Sequence, residues 1–347
     1  MYDNKKKIIG ASLLAALIIF VILLINNDIT DNNKIVNQKV QLENIKITSA
    51  EYAEDIYYFK DKMKAAVTIH NFGENKAELW LGYSLMDPLG EWIDIHPKEV
   101  ILQGGENKTI VMEYTPENLT TGNYTAVFAL WDSFPINENS TRISDIVIQE
   151  ALRIYSKKDD FQNLDDSLWM KREFVLGRSK LQSENVYINN DKLLIRLPGL
   201  TVNGGEIQSR GEMGFGSYEI RMKLPNAPSS ITGFFLYKEP DFFHEIDIEI
   251  YNEQKAYILF TTYADGDVRN EYKEYLDFDP SEDFHNYRFD YYPNKVSFYV
   301  NNEHQISWTE GFSVEPMRLI LNTWYPKWLD GIEPMEDKYL VVDWIRY

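Results

Sequence analysis

The sequence predicts an all-β protein, two consecutive β-sandwiches behind one N-terminal transmembrane helix. Three observations carry that prediction. From about residue 41 onward the chain is built of short alternating apolar segments separated by Gly, Pro, Asn and Asp, with no helical periodicity. Aromatic residues make up 14% of the 347 positions, an excess that suits pleated, half-buried surfaces. Before these segments stands an uncharged apolar run, residues 8–25, reading IIGASLLAALIIFVILLI.

That run is just long enough to cross a bilayer core as a helix. Lys5, Lys6 and Lys7 precede it, and Asp28 and Asp31 follow it. The positive-inside rule therefore places residues 1–7 in the cytoplasm and the rest of the chain outside the cell membrane. The run ends in Leu24-Ile25-Asn26-Asn27 with no small-residue cleavage pattern, which favours an uncleaved anchor over a signal peptide and secretion. Residues 26–40 are polar, rich in Asn and aperiodic, and read as a stalk.

Composition narrows the function. With 35 Lys+Arg against 54 Asp+Glu, the net charge of −19 argues against a nucleic-acid partner, which needs a basic surface. The absence of cysteine excludes disulfides, thiol nucleophiles and thiolate metal sites. Sandwiches without disulfides must be large enough to hold themselves together.

Residues 41–156 contain strand signals at Ala65–His70, Leu79–Leu85, Thr109–Tyr114 and Tyr124–Trp131, with turns at Asn71-Phe72-Gly73, Asp87-Pro88-Leu89-Gly90 and Gly104-Gly105. A β-sandwich is expected, resembling immunoglobulin-like spacer modules. Sequons at Asn107, Asn118, Asn123 and Asn139 all fall in this region. It holds no cluster of catalytic residue types, so a spacer is the expected role and glycan or protein binding the alternative.

Residues 157–347 carry strand signals almost throughout, among them Lys192–Leu197, Ser217–Leu224, Thr232–Tyr237, Glu245–Tyr251, Tyr257–Thr262, His285–Asp290, Lys295–Val300 and Tyr339–Trp344. One large two-sheet jelly roll accounts for them. The stretch Phe243-His244-Glu245-Ile246-Asp247-Ile248-Glu249-Ile250 concentrates the chemistry. Strand alternation puts Phe243, Glu245, Asp247 and Glu249 on one face and the isoleucines, with His244, on the other. Crowded carboxylates raise one another's pKa, which keeps one of them protonated near neutrality. A proton donor beside a carboxylate is the requirement of glycoside hydrolysis. The Cα atoms of Glu245 and Glu249 lie roughly 13 Å apart along an extended strand, a gap that converging side chains narrow to the ~5 Å of a retaining pair. On its own an acid-x-acid-x-acid pattern equally fits a solvated strand face or a calcium-binding edge.

The surrounding motifs remove that ambiguity. The Glu245-Ile-Asp-Ile-Glu249 stretch, with Gly214-Phe-Gly-Ser-Tyr-Glu-Ile-Arg-Met-Lys223, Gly233-Phe-Phe-Leu-Tyr237, Phe284-His-Asn-Tyr-Arg-Phe-Asp290, Leu321-Asn-Thr-Trp324 and Val342-Asp-Trp-Ile-Arg-Tyr347, resembles family 16 glycoside hydrolases, licheninases most closely. The resemblance covers nearly all of residues 158–347. It implies a concanavalin-like jelly roll acting on a β-glucan polysaccharide, with Glu245 as nucleophile, Asp247 as its modulator and Glu249 as general acid/base. It further implies Glu206, Asn322 and Trp324 in the sugar subsites, with Phe235, Tyr237, Phe243 and Tyr263 as aromatic platforms. Gln208 stands where the licheninase pattern has Arg, and Thr261 where it has Asn, both at substrate-binding positions; the linkage cleaved is left open between β-1,3-1,4 and β-1,3. Asp343 matches a position for a structural calcium, and catalysis is expected to need no cofactor. A monomer is expected. A transglycosylase using the same carboxylates and a non-catalytic glycan-binding module are the alternatives; retention of all three acids speaks against the latter.

Other chemistries fail on the residues. The five histidines form no metal-ligand spacing. The stretch Asp265-Gly-Asp-Val-Arg269 opens like an EF-hand loop but puts Arg where a ligand is needed.

Overall fold

The computed structural model describes residues 42–347 apart from 138 and 254. The expected anchor at 8–25 and the stalk lie outside these residues; among the described residues no helix is long and apolar enough to cross a membrane. The chain divides into two compact units, one holding the described residues up to 117 together with 123–154, the other comprising 118–122 and 155–347.

The first unit is a sandwich of two sheets. One pairs Ile45–Tyr52, Met63–Asn71 and Asn107–Tyr114. The other runs Ile56–Tyr58, Arg142–Tyr155, Gly122–Trp131, Ala77–Met86, Trp92–Leu102. Alternation explains the layering, since Leu79, Leu81, Tyr83 and Leu85 all point inward and are almost fully buried while the residues between them are half-exposed.

The second unit is the expected jelly roll. Seven strands form its inner sheet: β1 (Trp169–Lys171), β2 (Gly205–Ser209), β3 (Ser230–Lys238), β4 (His244–Asn252), β5 (Tyr257–Ala264), β6 (Asp267–Tyr275) and β7 (Arg318–Trp324). They lie side by side in the order β1-β2-β7-β3-β4-β5-β6, every neighbour antiparallel. The outer sheet runs Val186–Ile188, Leu193–Leu197, Lys338–Arg346, Gly216–Lys223, His285–Tyr292, Lys295–Val300, Glu303–Trp308, and Lys158–Asp159 pairs with Lys338–Arg346.

Between the sheets lies an apolar core that includes Ile246, Ile248 and Ile250 of β4, Phe234 and Leu236 of β3 and Phe260 of β5, packed with Ile220, Phe289, Phe298 and Val342 of the outer sheet. Full burial of such side chains contributes on the order of 1.5–3 kcal/mol each. The three isoleucines consequently fix which way β4 faces: a slip of one residue would exchange them for the acids. Of the neighbouring phenylalanines, Phe234 is core and Phe235 is not. The β5–β6 hairpin closes on Asp265 and Gly266, both at positive φ (54° and 84°), the conformation a two-residue type I′ turn requires.

Candidate active site

With the isoleucines inward, Glu245, Asp247 and Glu249 project from the opposite face of β4, where they meet side chains of every other long strand of the inner sheet. Strand register arranges these into rungs. The first carries Glu206 of β2, Asn322 of β7, Gly233 of β3, Glu249 of β4, Leu259 of β5 and Lys273 of β6. The next carries Gln208, Ile320, Phe235, Asp247, Thr261 and Glu271. A third aligns Arg318, Tyr237, Glu245, Tyr263 and Val268. On the other side of the Glu249 rung lie Trp324, Ile231, Tyr251, Tyr257 and Tyr275.

Asp247 is only 4% exposed, whereas Glu245 and Glu249 are half-buried and open to the groove. None of the three forms an ion pair among the described residues, and Asp247 Oδ1 has no hydrogen-bond partner. Burial, followed by the charges of Glu245 and Glu249, holds the Asp247 proton well above the usual carboxylate range. Burial also raises Glu245, with Glu249 and Asp241 adding to the effect, while its hydrogen bond with Asp247 works the other way. Glu249 is pushed up to about 7, chiefly by burial. All three carboxyls of the strand are thus held toward their protonated forms near neutrality.

The flanking residues shape a groove. Asn322 Nδ2 donates to Glu206 Oε2 at 3.0 Å, leaving its own Oδ1 unpartnered. Burial raises Glu206 to about 7, against the opposing effects of that hydrogen bond and of Arg172. Gly233 stands between Asn322 and Glu249; a Cβ there would come within 2.9 Å of Asn322 Oδ1 and 3.2 Å of the Phe235 ring. The missing side chain leaves a notch at the acid/base position. Tyr237, whose hydroxyl donates to Asp241, and Tyr263 flank Glu245 as its register partners.

The structure brings together Glu206, Gln208, Phe235, Tyr237, Tyr263, Asn322 and Trp324 on one surface around the three acids. One expectation is corrected. Phe243 does not share the strand face, because β4 begins at His244 and Phe243 sits in the preceding turn, its ring packed 3.3 Å from where a Gly266 Cβ would lie. Asp343, the position expected for a structural calcium, pairs with Lys192 Nζ at 2.6 Å and Arg221 Nε at 3.4 Å. Among the described residues no group of three or more His, Cys, Asp or Glu is placed to hold a metal. His244 does face away from the acids, with Nδ1 2.7 Å from Ser313 Oγ. Tyr251, Tyr257 and Trp328 were not anticipated as site residues. Alternation on β4 and β5 exposes the first two to detection, but Trp328 sits on a loop and has no periodicity to give it away.

A jelly-roll sandwich whose inner sheet lines a groove with unpaired, proton-retaining carboxyls among aromatic rings has the architecture of a polysaccharide-processing enzyme. Residues 174–346 match the model of glycosyl hydrolases family 16, and the C-terminal unit belongs to that family. It is 29% identical over 205 residues to a beta-glucanase of Acetivibrio thermocellus, covering 54% of this chain and 60% of that protein. To a beta-glucanase of Bacillus subtilis it is 30% identical over 150 residues, covering 41% of this chain and 62% of the relative. The chain thus spans about three-fifths of the length of these curated relatives. Among solved structures it is similar to a Bacillus licheniformis beta-glucanase, with a TM-score of 0.51 and 25% identity over 55% of this chain and 96% of that one. A lichenase from a mouse hindgut metagenome matches equally, with a TM-score of 0.51 and 26% identity over 55% of this chain and 97% of that one.

Proposed function

We propose that the protein is a retaining endo-β-glucanase that cleaves β-1,3-1,4 or β-1,3 linked glucan. One observation carries the reading: three buried or half-buried acids on one strand face, free of ion pairs, at the centre of an aromatic groove. In the first step the Glu249 carboxyl gives its proton to the glycosidic oxygen as the C1–O bond breaks, its electron pair passing to that oxygen. The Glu245 carboxylate attacks C1 and forms a glycosyl ester. Asp247, buried between the two glutamates on the same strand face, tunes the Glu245 carboxyl. In the second step Glu249, now ionised, takes a proton from water; the hydroxide oxygen bonds C1, and Glu245 leaves as carboxylate with net retention.

Phe235, Tyr237 and Tyr263 offer faces to the C–H surfaces of pyranose rings, while Glu206, Gln208 and Asn322 face the hydroxyls. The Gly233 notch lets a ring approach the backbone beside Glu249. The product mixture from mixed-linkage β-glucan, β-1,3-glucan and cellulose tests the reading: oligosaccharides with a rapid fall in viscosity are expected, and unchanged polymer on all three would refute it. Products longer than the starting oligosaccharide would reveal a transglycosylase. We further propose that residues 8–25 anchor the chain in the cell membrane with the enzyme outside. The N-terminal sandwich, read as immunoglobulin-like, serves as a spacer for a monomeric enzyme. The length and hydropathy of residues 8–25 and the lysines before them support the anchor.

A further inference from the structure

The chain leaves the inner sheet at the end of β7 as the loop of residues 325–337, which carries Trp328, before it enters the outer sheet at Lys338. A two-stranded hairpin that belongs to neither sheet, Phe174–Leu176 paired with Ser179–Leu181, lies against the start of this loop. Its turn is Gly177-Arg178. Arg178 N donates to Tyr325 O at 2.9 Å, and Tyr325 N donates to Ser179 Oγ at 2.7 Å. The Arg178 side chain reaches further along the loop: Nε donates to Pro326 O at 3.0 Å and Nη1 to Gly331 O at 2.7 Å. One guanidinium thus ties together both ends of residues 326–331, with Trp328 between them. A planar fork of fixed donors suits two carbonyls at once, which a single ammonium does not.

Gly177 allows this close approach. It holds φ at 59°, and a Cβ there would lie 2.5 Å from the Trp324 ring and 2.8 Å from Tyr325 O. The clamp has a buried footing. Tyr325 is fully buried, with its ring centroid 5.7 Å from the guanidinium carbon of Arg178, and Leu329 packs against the cluster of Leu181, Ile231, Tyr251 and Trp324. Trp328 itself is 61% exposed and meets Trp324 edge-on, with centroids 5.6 Å apart at 83°. Trp324 and Tyr251 share the rung next to that of Glu249, so Trp328 raises an indole at the end of the groove beyond the proposed acid/base.

An exposed indole gains little from burial on folding, whereas a ring already held in place costs a ligand less ordering entropy to meet. We propose that Arg178 is a positioning residue for polymer binding: by fixing residues 326–331 it presents Trp328 as a platform for a pyranose ring of the glucan. This rests on the reading of the groove as a glucan-cleaving site and names the device that holds one of its walls.

Arg178→Met keeps the aliphatic stem and deletes both side-chain donors. It should raise KM on mixed-linkage β-glucan by about 5- to 10-fold, the loss of one aromatic contact, with kcat within about twofold of the parent. Trp328→Ala should raise KM by a similar factor. Because the two changes remove the same contact, the double variant should be no weaker than the more affected single one. Arg178→Lys, which can serve one carbonyl but not both, should recover part of the loss. A merely structural role would lower the folded fraction, and with it apparent kcat, without moving KM. A parental KM in Arg178→Met or in Trp328→Ala overturns the proposal, as do KM increases that multiply in the double variant. Should Arg178→Met fail to fold, Arg178→Lys carries the same test: a parental KM there, beside a raised KM in Trp328→Ala, overturns the clamp. A parent that cleaves no β-glucan defeats the glucanase reading itself, whereas cleavage with an unmoved KM in the variants defeats only the role of Arg178.

Discussion

The two sheets of the C-terminal unit each bury acids, and they treat them in opposite ways. On the outer sheet Glu219, 1% exposed, has Arg346 as register partner on one neighbouring strand and Arg288 on the other. Arg346 donates to its Oε2 from Nη2 at 2.7 Å and Nε at 3.0 Å, and Tyr155 donates at 2.6 Å. Asp290 accepts from Ser217 at 2.6 Å and lies 3.6 Å from Arg288 Nε. On the inner sheet the register partners are Tyr237 and Tyr263 for Glu245, Phe235 and Thr261 for Asp247, and Gly233 and Leu259 for Glu249. Among the described residues no cation is a register partner of any of the three. Burial is common to both sets; the cross-strand neighbours decide whether a carboxylate becomes a fixed ion pair or a group that holds and releases protons.

The comparison breaks first, and with the largest effect, at Glu245. Glu245→Ala should lower kcat on β-glucan by at least about 10³-fold while the folded fraction stays parental, as circular dichroism would show. The converse change, Arg346→Met, removes the cation that donates twice to Glu219. It should cost about 3–5 kcal/mol in urea unfolding, with the kcat of the remaining folded protein unchanged. Phe234→Ala should cost a similar 3–5 kcal/mol as a core deletion, whereas its neighbour Phe235→Ala should raise KM and leave stability nearly intact.

A smaller effect distinguishes the sets by pH. The folded value of Glu249, about 7, lies above that of the unfolded chain. Its contribution to stability is therefore complete below the unfolded value near 4.5 and is lost as pH rises through 7. Glu249→Gln should match the parent in denaturant midpoint at pH 4 and exceed it at pH 8, by roughly 1–3 kcal/mol. In the active parent, kcat/KM should decline above pH 7 as the acid loses its proton.

Alternation made most of the fold legible. The β4 pattern announced both its buried isoleucines and its acid face, and Tyr251 obeyed the same rule unread. β2 was missed because all five of its residues are buried on both faces, which erases the period of two. β6, polar and exposed at the sheet edge, was hidden by its charge, although Asp265-Gly266 carried the hairpin signal that had been weighed as a failed calcium loop. Phe243 was misplaced by extending the alternation one residue past the start of the strand. The rungs themselves had no local signal. Glu206, Asn322, Gly233 and Glu249 meet only through sheet order, and Asn322 was legible solely through family resemblance. The ion pairs of Asp343 had no local signal for the same reason, its partners Lys192 and Arg221 being distant in sequence.

Glu245 is the residue proposed to bond the sugar. Incubation with a 2-deoxy-2-fluoro β-glucoside bearing a good leaving group, followed by peptide mass spectrometry, tests it directly. One added fluoroglycosyl group per chain is expected, located on Glu245 and absent in Glu245→Gln. A label on another residue, or turnover with inversion and no trapped ester, would contradict it.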